Sequence, residues 1–557
     1  MKKRIALLLA LMLVFTLVLA GCGQGGEEPA EPSEGEEEPA EGEEGTEGEE
    51  GTEDEEKTLV IALEPDYFTF DPGYAYELYA PMIIGVTYDN LYEITPDSDF
   101  PVPQLASKTE ISEDGLTYTF TIDPDAVFAS GNDVTAEDVK FSFERAINLQ
   151  SNATALLVDG EGNGVVSVEA PDEDTVVVTL SKPDSSFISK TTSTSYAVLD
   201  SKIVKEQGGV SNEDAASTDT AQTYLNSQSA GSGPYVMESF TPDDRLVLVK
   251  NENYWGEKPD YDRIIVQDMP DANSQLISVQ QGDIDIAFNL SSDQLQSLNS
   301  ESVNVISSST MTMGFLLMHN DPEIGEEVSD PYVQKAIRYA LDYEGLHAII
   351  GEGTVTPVSF IQYGFLGALD PLEPGSIRDL DKARDFLGQS PYPDGFEIDF
   401  PVSDLAPEGI PLTLIAEKVK ADLQEIGIDI NIVPREWGGG YGDEYREGTL
   451  GFTVMYWGPD YYDPNNQLSF LPGQFVGHRA GWTEDMNPEL AAMHGEIIGE
   501  TDLEERARLL EEVQEMTAED SPFVVYAQYP KYIVSSKDVQ NVEYSNVYRM
   551  DLTALEE

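Results

Sequence analysis

GSGPYVMESFTPDDRLVLVKNENYWGEKPDYDRIIVQ (231–267) carries two apolar runs, LVLV (246–249) between Arg245 and Lys250, and IIV (264–266) between Arg263 and Gln267. Their length and β-branched content predict strands. Gly231, Gly233 and Pro234 punctuate the chain just before a further strand, as a tight crossing requires. Tyr254 and Trp255 stand beside a Gly–Pro turn, where rings more often pack a core than touch a ligand.

Outward from this stretch, strands and helices alternate. TLVIAL (58–63), GLTYTFTI (115–122) and DTVVVTL (174–180) read as strands. Between them, Thr135 and Asp138 form a capping-box variant ahead of Val139, Phe143 and Ile147, which share one helix face. Asp330 and Pro331 open a second helix as N-cap and first residue. Leu412, Ile415, Val419, Leu423 and Ile426 form a third stripe. Gly427 is placed to close it in the left-handed conformation, before Ile428, Ile430 and Ile432 alternate as a strand. Thr501 and Glu504 read as a capping box for the last helix. The class is therefore α/β, with helices covering sheets.

The 231–267 stretch, followed by ISVQQGDIDIAF (277–288), resembles the signature of family 5 solute-binding proteins, the oligopeptide- and dipeptide-binding receptors of bacterial ABC importers. AVFASGNDVTAEDVKFSFERA (126–146), VQKAIRYALDYEGL (333–346), YPDGFEI (392–398), LQEIGIDI (423–430) and 502–529 are similar to further family segments, in the same order. Two departures are Ser232 where threonine commonly follows the first glycine, and Phe70 where leucine commonly precedes the aspartate. The resemblance implies a two-lobed periplasmic-binding-protein type II fold with an additional domain inserted in the first lobe. On that analogy lobe I comprises 58–98, 225–312 and 524–557, the insert 99–224, and lobe II 313–523. The crossings near 312 and 524 would form the hinge, and ligand would lie between the lobes.

A second stretch, YWGPDYYDPNNQLSF (456–470), follows the apolar strand GFTVM (451–455) and sets the carboxylate of Asp460 among Tyr456, Trp457, Tyr461 and Tyr462. Read alone, Asp460 either meets a cation from outside or closes a turn. The resemblance implies the first: the aspartate accepts the α-ammonium of a bound peptide while Trp457 lines the pocket. A charge-assisted bond among rings exceeds its value in water. Asp463, ahead of Pro464, reads as a helix N-cap. Leu468 stands where a calcium loop needs glycine, and no glutamate closes such a loop. Trp437 in REWGGGYGD (435–443) either reaches the cleft or belongs to a surface loop. Tyr74 and Tyr76 either face the ligand or pack. Arg435, Arg446 and Arg479 are open as partners of a ligand carboxylate.

The start of the chain sets the expected compartment. A basic n-region (MKKR), an apolar segment too short to favour a span, and LAGC ending at Cys22 resemble a lipoprotein signal. This predicts a signal peptide over 1–21, acylation of Cys22, and a lipid-anchored protein on the outer face of the cytoplasmic membrane. Residues 22–57, rich in Glu, Gly and Pro, read as a disordered acidic tether. With 105 acidic residues against 30 basic ones, nucleic acid is excluded as a partner. The expected partners are a peptide or other small solute and the transmembrane subunits of an ABC permease, with the chain itself a monomer. No cofactor or metal is implied. The four histidines form no metal-ligand spacing, and neither a G-x-S-x-G elbow nor a phosphate loop appears. Two other readings stand beside the peptide receptor: the same fold binding an oligosaccharide through Trp437 and Trp457, and a secreted hydrolase using two of the many carboxylates.

Overall fold

The structure, a computed structural model, describes residues 56–557 apart from 65–68, 76–78, 96–97, 99, 159–161, 300 and 545–549. Cys22, the tether and Tyr76 lie outside the described residues.

An eight-stranded mixed sheet runs through the fold. Its order is Phe452–Trp457, Val303–Met318, Phe523–Ser536, Ile286–Ala287, Thr58–Leu63, Arg263–Asp268, Arg245–Lys250 and Tyr235–Thr241. Thr58–Leu63 pairs in parallel with Arg263–Asp268, so the 231–267 stretch supplies three strands on one side of the first strand of the domain. A Cβ on Gly231 would meet the Thr87 carbonyl oxygen at 2.2 Å, and one on Gly233 the Val86 oxygen at 2.6 Å. Both glycines serve the tight crossing, because any side chain there would push the segment off helix Ala80–Thr87.

Two long strands lie where the crossings between lobes are expected. Val303–Met318 and Phe523–Ser536 run antiparallel, paired from Val303↔Ser536 to Leu317↔Phe523, with an irregularity between Ser309 and Met313 opposite 528–530. On one side of this break the pair joins Ile286–Ala287; on the other it joins Phe452–Trp457. Thr310 Oγ1 donates to the Tyr529 carbonyl at 2.8 Å, and Gln528 Nε2 to the Thr310 carbonyl at 2.8 Å. The backbone groups that the break frees are therefore satisfied by side chains.

Alternation sorts the second lobe's strands between two cores. Met313, Phe315, Leu317, Met455, Phe523 and Val525 enter one; Leu316, Met318, Phe452, Val454, Val524 and Tyr526 enter the other. A separate four-stranded antiparallel sheet, in the order Ala106–Ile111, Thr117–Ile122, Thr175–Leu180 and Val165–Glu169, packs with helix Ala136–Asn148 around Phe120, Val139, Phe143 and Val178. This sheet and helix fall within 99–224, the range expected for the additional domain.

Most local signals hold. Thr135 and Asp138 form the capping box, Asp330 caps the Pro331–Ala340 helix, and Gly427 sits at φ +89° after helix Leu412–Gln424. The last helix differs: its N-cap is Asp502, whose carboxylate accepts from the Glu504 and Glu505 amides at 3.0 Å each. A carboxylate serving two amide donors displaces Thr501 from that role.

Candidate functional site

Strand Phe452–Trp457 extends two residues beyond the apolar run, which places Tyr456 and Trp457 on opposite faces of the sheet. Tyr456 packs against the core that holds Leu316 and Val454. Trp457 packs in the other, edge-on to Phe470 at 5.6 Å. Phe470 in turn meets Phe315 at 5.4 Å and Phe523 at 5.0 Å, so the indole rests on an aromatic floor built on the two crossing strands. Each such pair adds about 0.5–1.5 kcal/mol beyond area burial.

Asp460 follows three residues later, half-buried. One amide ties it to the indole: Asn466 Nδ2 donates to Asp460 Oδ2 at 3.2 Å, and Trp457 Nε1 donates to Asn466 Oδ1 at 3.2 Å. Sequence reasoning missed Asn466; its place six residues after Asp460, in the turn that Asp463 caps, is the signal that could have found it. The carboxylate and the ring are thereby held as one unit.

The next residues reach the additional domain. Tyr461, pushed up to about 12 by burial, lies under the Lys190 ammonium, 5.3 Å from its ring centroid. Lys190 pairs with Asp184 at 2.6 Å. Burial alone would lower the lysine, but Tyr461 and Asp184 outweigh it and hold its pKa above the ordinary value. Asn465 Nδ2 donates to Ser185 Oγ at 3.1 Å, and the Ser185 amide to the Ile498 carbonyl at 2.9 Å. Asp463 caps its helix as read, accepting from the Asn465 amide at 2.9 Å, and is also buried against Arg506. Burial pushes the Asp463 carboxyl up, while Arg506 opposes this. Asp460 thus lies beside a seam between the second lobe and the additional domain. Tyr462 turns away, its hydroxyl on the Gly364 carbonyl at 2.9 Å.

Trp437 stands on the same side as Trp457. Its ring lies 6.0 Å from Tyr441 and 6.2 Å from Tyr445, with the Arg446 guanidinium 5.3 Å above it. Tyr445 and Trp457 share a neighbour, Arg479, at 4.5 and 5.8 Å. Tyr74 is elsewhere, in the first lobe. Its amide donates to the Asp71 carbonyl at 2.9 Å, and burial followed by the charges of Asp219 and Asp71 raises its phenol. The structure therefore brings Asp460, Trp457 and Trp437 to one side of the second lobe's sheet, sends Tyr456 to the other, and leaves Tyr74 beside a buried ion cluster.

A polar cluster also gathers at the strand break. Lys531 pairs with Glu408 at 3.3 Å and donates to Tyr79 Oη at 3.3 Å, while Thr312 Oγ1 donates to Glu408 Oε1 at 2.8 Å. Glu408 holds φ +48°, a left-handed backbone that costs a non-glycine residue about 1–2 kcal/mol. Burial lowers the Lys531 ammonium, but Tyr79 and Glu408 keep its pKa above the ordinary value. Among the described residues no helix is long and apolar enough to cross a membrane, and no group of acidic, His or Cys side chains is arranged to hold a metal.

Comparison with known proteins adds several likenesses. The model of bacterial extracellular solute-binding proteins, family 5 middle, matches residues 101–476. The oligopeptide-binding protein OppA of Bacillus subtilis is 25% identical over 581 residues, covering 97% of each chain. Heme-binding protein A of Haemophilus influenzae is 28% identical over 466 residues, covering 79% of this chain and 81% of its own. Among solved structures, the ABC transporter-associated periplasmic binding protein DppA of Helicobacter pylori, in complex with the peptide STSA, superposes with a TM-score of 0.70. It is 23% identical and covers 89% of this chain and 97% of its own.

Proposed function

Because the chain belongs to family 5 of the bacterial extracellular solute-binding proteins, transport receptors rather than enzymes, we propose that it captures short peptides between its lobes. The peptide's α-ammonium sits on Asp460 against Trp457, and the closed form is presented to the permease of an ABC importer. Greater affinity for the closed arrangement drives the hinge, which bends at Ser309–Met313 and the facing 528–530. In this reading the lobes and the insert take the ranges expected from the sequence, except that 524–528 stay with the second lobe, where they pair with 313–316.

One observation carries this reading: the Asp460–Asn466–Trp457 unit at a strand end, beside the seam to the additional domain. A half-buried carboxylate on an aromatic floor suits an ammonium that has left water. The names of the relatives include heme and oligopeptide, so the fold alone does not choose the cargo; the Asp460 carboxylate is what supports a cationic amine. Tryptophan fluorescence titration with two- to five-residue peptides and with oligosaccharides of similar size tests it. Saturable change with peptides alone is expected. Saturation by oligosaccharides alone would instead favour stacking on Trp437 and Trp457.

Cys22 anchors the protein through its acyl chains, and the tether after it lets the receptor, a monomer, reach the permease. A Cys22→Ser chain should be released from the membrane fraction; retention there would contradict the anchor.

A further inference from the structure

We infer that the additional domain is the latch of the receptor: its segment 184–190 grips the turn that follows Asp460, so that seating a ligand and shutting the lobes favour each other. The inference rests on a ligand at Asp460 and on the expected lobe ranges. Ser185 is the hub of the contact. Its amide donates to the Ile498 carbonyl at 2.9 Å and its hydroxyl to the Ile497 carbonyl at 3.4 Å, both in the last turn of helix Pro488–Gly499. Carbonyls in that turn lack donors within their own helix. The same hydroxyl accepts from Asn465 Nδ2 at 3.1 Å. Ser189 Oγ donates to Asp463 Oδ2 at 3.4 Å, and the Lys190 ammonium covers the Tyr461 ring. Ser189 and Asn465 are each 6% exposed, as is Asp463, so these polar groups meet one another and not water.

What crosses the seam differs in kind from what lies on either side. Lys190 is paired with Asp184 inside the segment itself, and Arg506 with Asp463 inside the second lobe. Among the described residues no salt bridge runs between 99–224 and 313–523. Parting the two faces therefore strands no buried charge, a cost that would lock them together. It gives up a cation–π contact and neutral hydrogen bonds, each bond worth about 2- to 13-fold in an equilibrium, and water takes their place. Such a contact can form and break in every cycle of capture and release. Its position supplies the coupling. Tyr461 follows Asp460 directly, and Asn465 precedes Asn466, whose amide bonds both Asp460 and Trp457. A guest that fixes this turn presents Asn465 to Ser185, and the closed seam fixes the turn for the guest. Linkage makes the two effects equal.

The test places spin labels at Glu173→Cys in the additional domain and Glu515→Cys in the second lobe, both exposed positions. The full chain carries Cys22→Ser, which leaves no native thiol. Pulsed electron resonance gives the share of chains at the short, closed separation, first without ligand and then through a trialanine titration. Ser185→Ala removes the hydroxyl's two hydrogen bonds and should lower the closed-to-open ratio about 10-fold. Ser185→Glu sets a carboxylate against helix-end carbonyls and should lower it about 100-fold or more. Ser185 is half-buried in a turn, and an unchanged melting curve shows that the fold survives each change. If peptide is needed to fill the closed form, the same factors appear in the trialanine concentration that half-closes the chain. A chain that stays at the long separation throughout, or a ratio that Ser185→Glu leaves unchanged, overturns the latch. A chain that is shut without ligand, ignores trialanine and opens in Ser185→Glu keeps the latch and counts instead against the peptide reading.

Discussion

Asp460→Ala is expected to weaken binding of a short peptide with a free N-terminus by about 100- to 1,000-fold, some 2.7–4 kcal/mol. The loss is large because the ammonium would still be desolvated against Trp457 and Phe470 while its counter-charge is gone. Asp460→Asn separates charge from shape. It preserves the side-chain volume and can still meet Asn466, so a turn-closing role predicts near-normal binding. Charge pairing predicts a loss close to that of alanine. Calorimetry gives the affinities, and an unchanged melting curve for Asp460→Asn shows that the fold survives. Normal affinity in both variants would remove Asp460 from the site.

Arg145→Met should destabilise the chain by about 3–5 kcal/mol, the cost of breaking a buried ion pair from one side. Arg145 is fully buried on the helix of the additional domain. It donates to Asp71 at 2.8 and 2.7 Å and to Asp219 at 2.8 and 3.0 Å. Two carboxylates raise the guanidinium pKa in spite of burial, the largest opposing cause. Removing the guanidinium leaves both acids without their counter-charge, and Asp71 is the residue that leads the first lobe into Gly73 and Tyr74. Combining Arg145→Met with Asp71→Asn and Asp219→Asn removes all three charges and should recover part of the loss. Denaturant melts followed by fluorescence give the midpoint shift. A loss below about 1 kcal/mol for Arg145→Met would show that the cluster adds little.

The fold was legible because its signals are local. Leu246–Val249 and Ile264–Val266 alternate with charged turns, Asp330 and Pro331 announce a helix, and Gly231 and Gly233 mark a crossing that tolerates no Cβ. Where two side chains compete for one task the sequence is silent, as with Asp502 and Thr501. The site was legible only in part for a related reason. Asp460 and Trp457 lie close in sequence, and their motif puts them together. The motif groups Tyr456 with them, yet strand period two sends it to the opposite core. Arg145, Asp71 and Asp219 are separated by 74 residues in each direction, and Lys531 and Glu408 by more; no spacing predicts such pairs. Arg435, Arg446 and Arg479 look alike as letters, and only their partners tell them apart.

The most direct measurement is the affinity of the wild-type chain for trialanine and for N-acetyl-trialanine at neutral pH. Acetylation removes the positive charge and leaves the rest of the peptide intact. Amine pairing at Asp460 predicts that the acetylated peptide binds at least about 100-fold more weakly. Equal affinities for the two would contradict it.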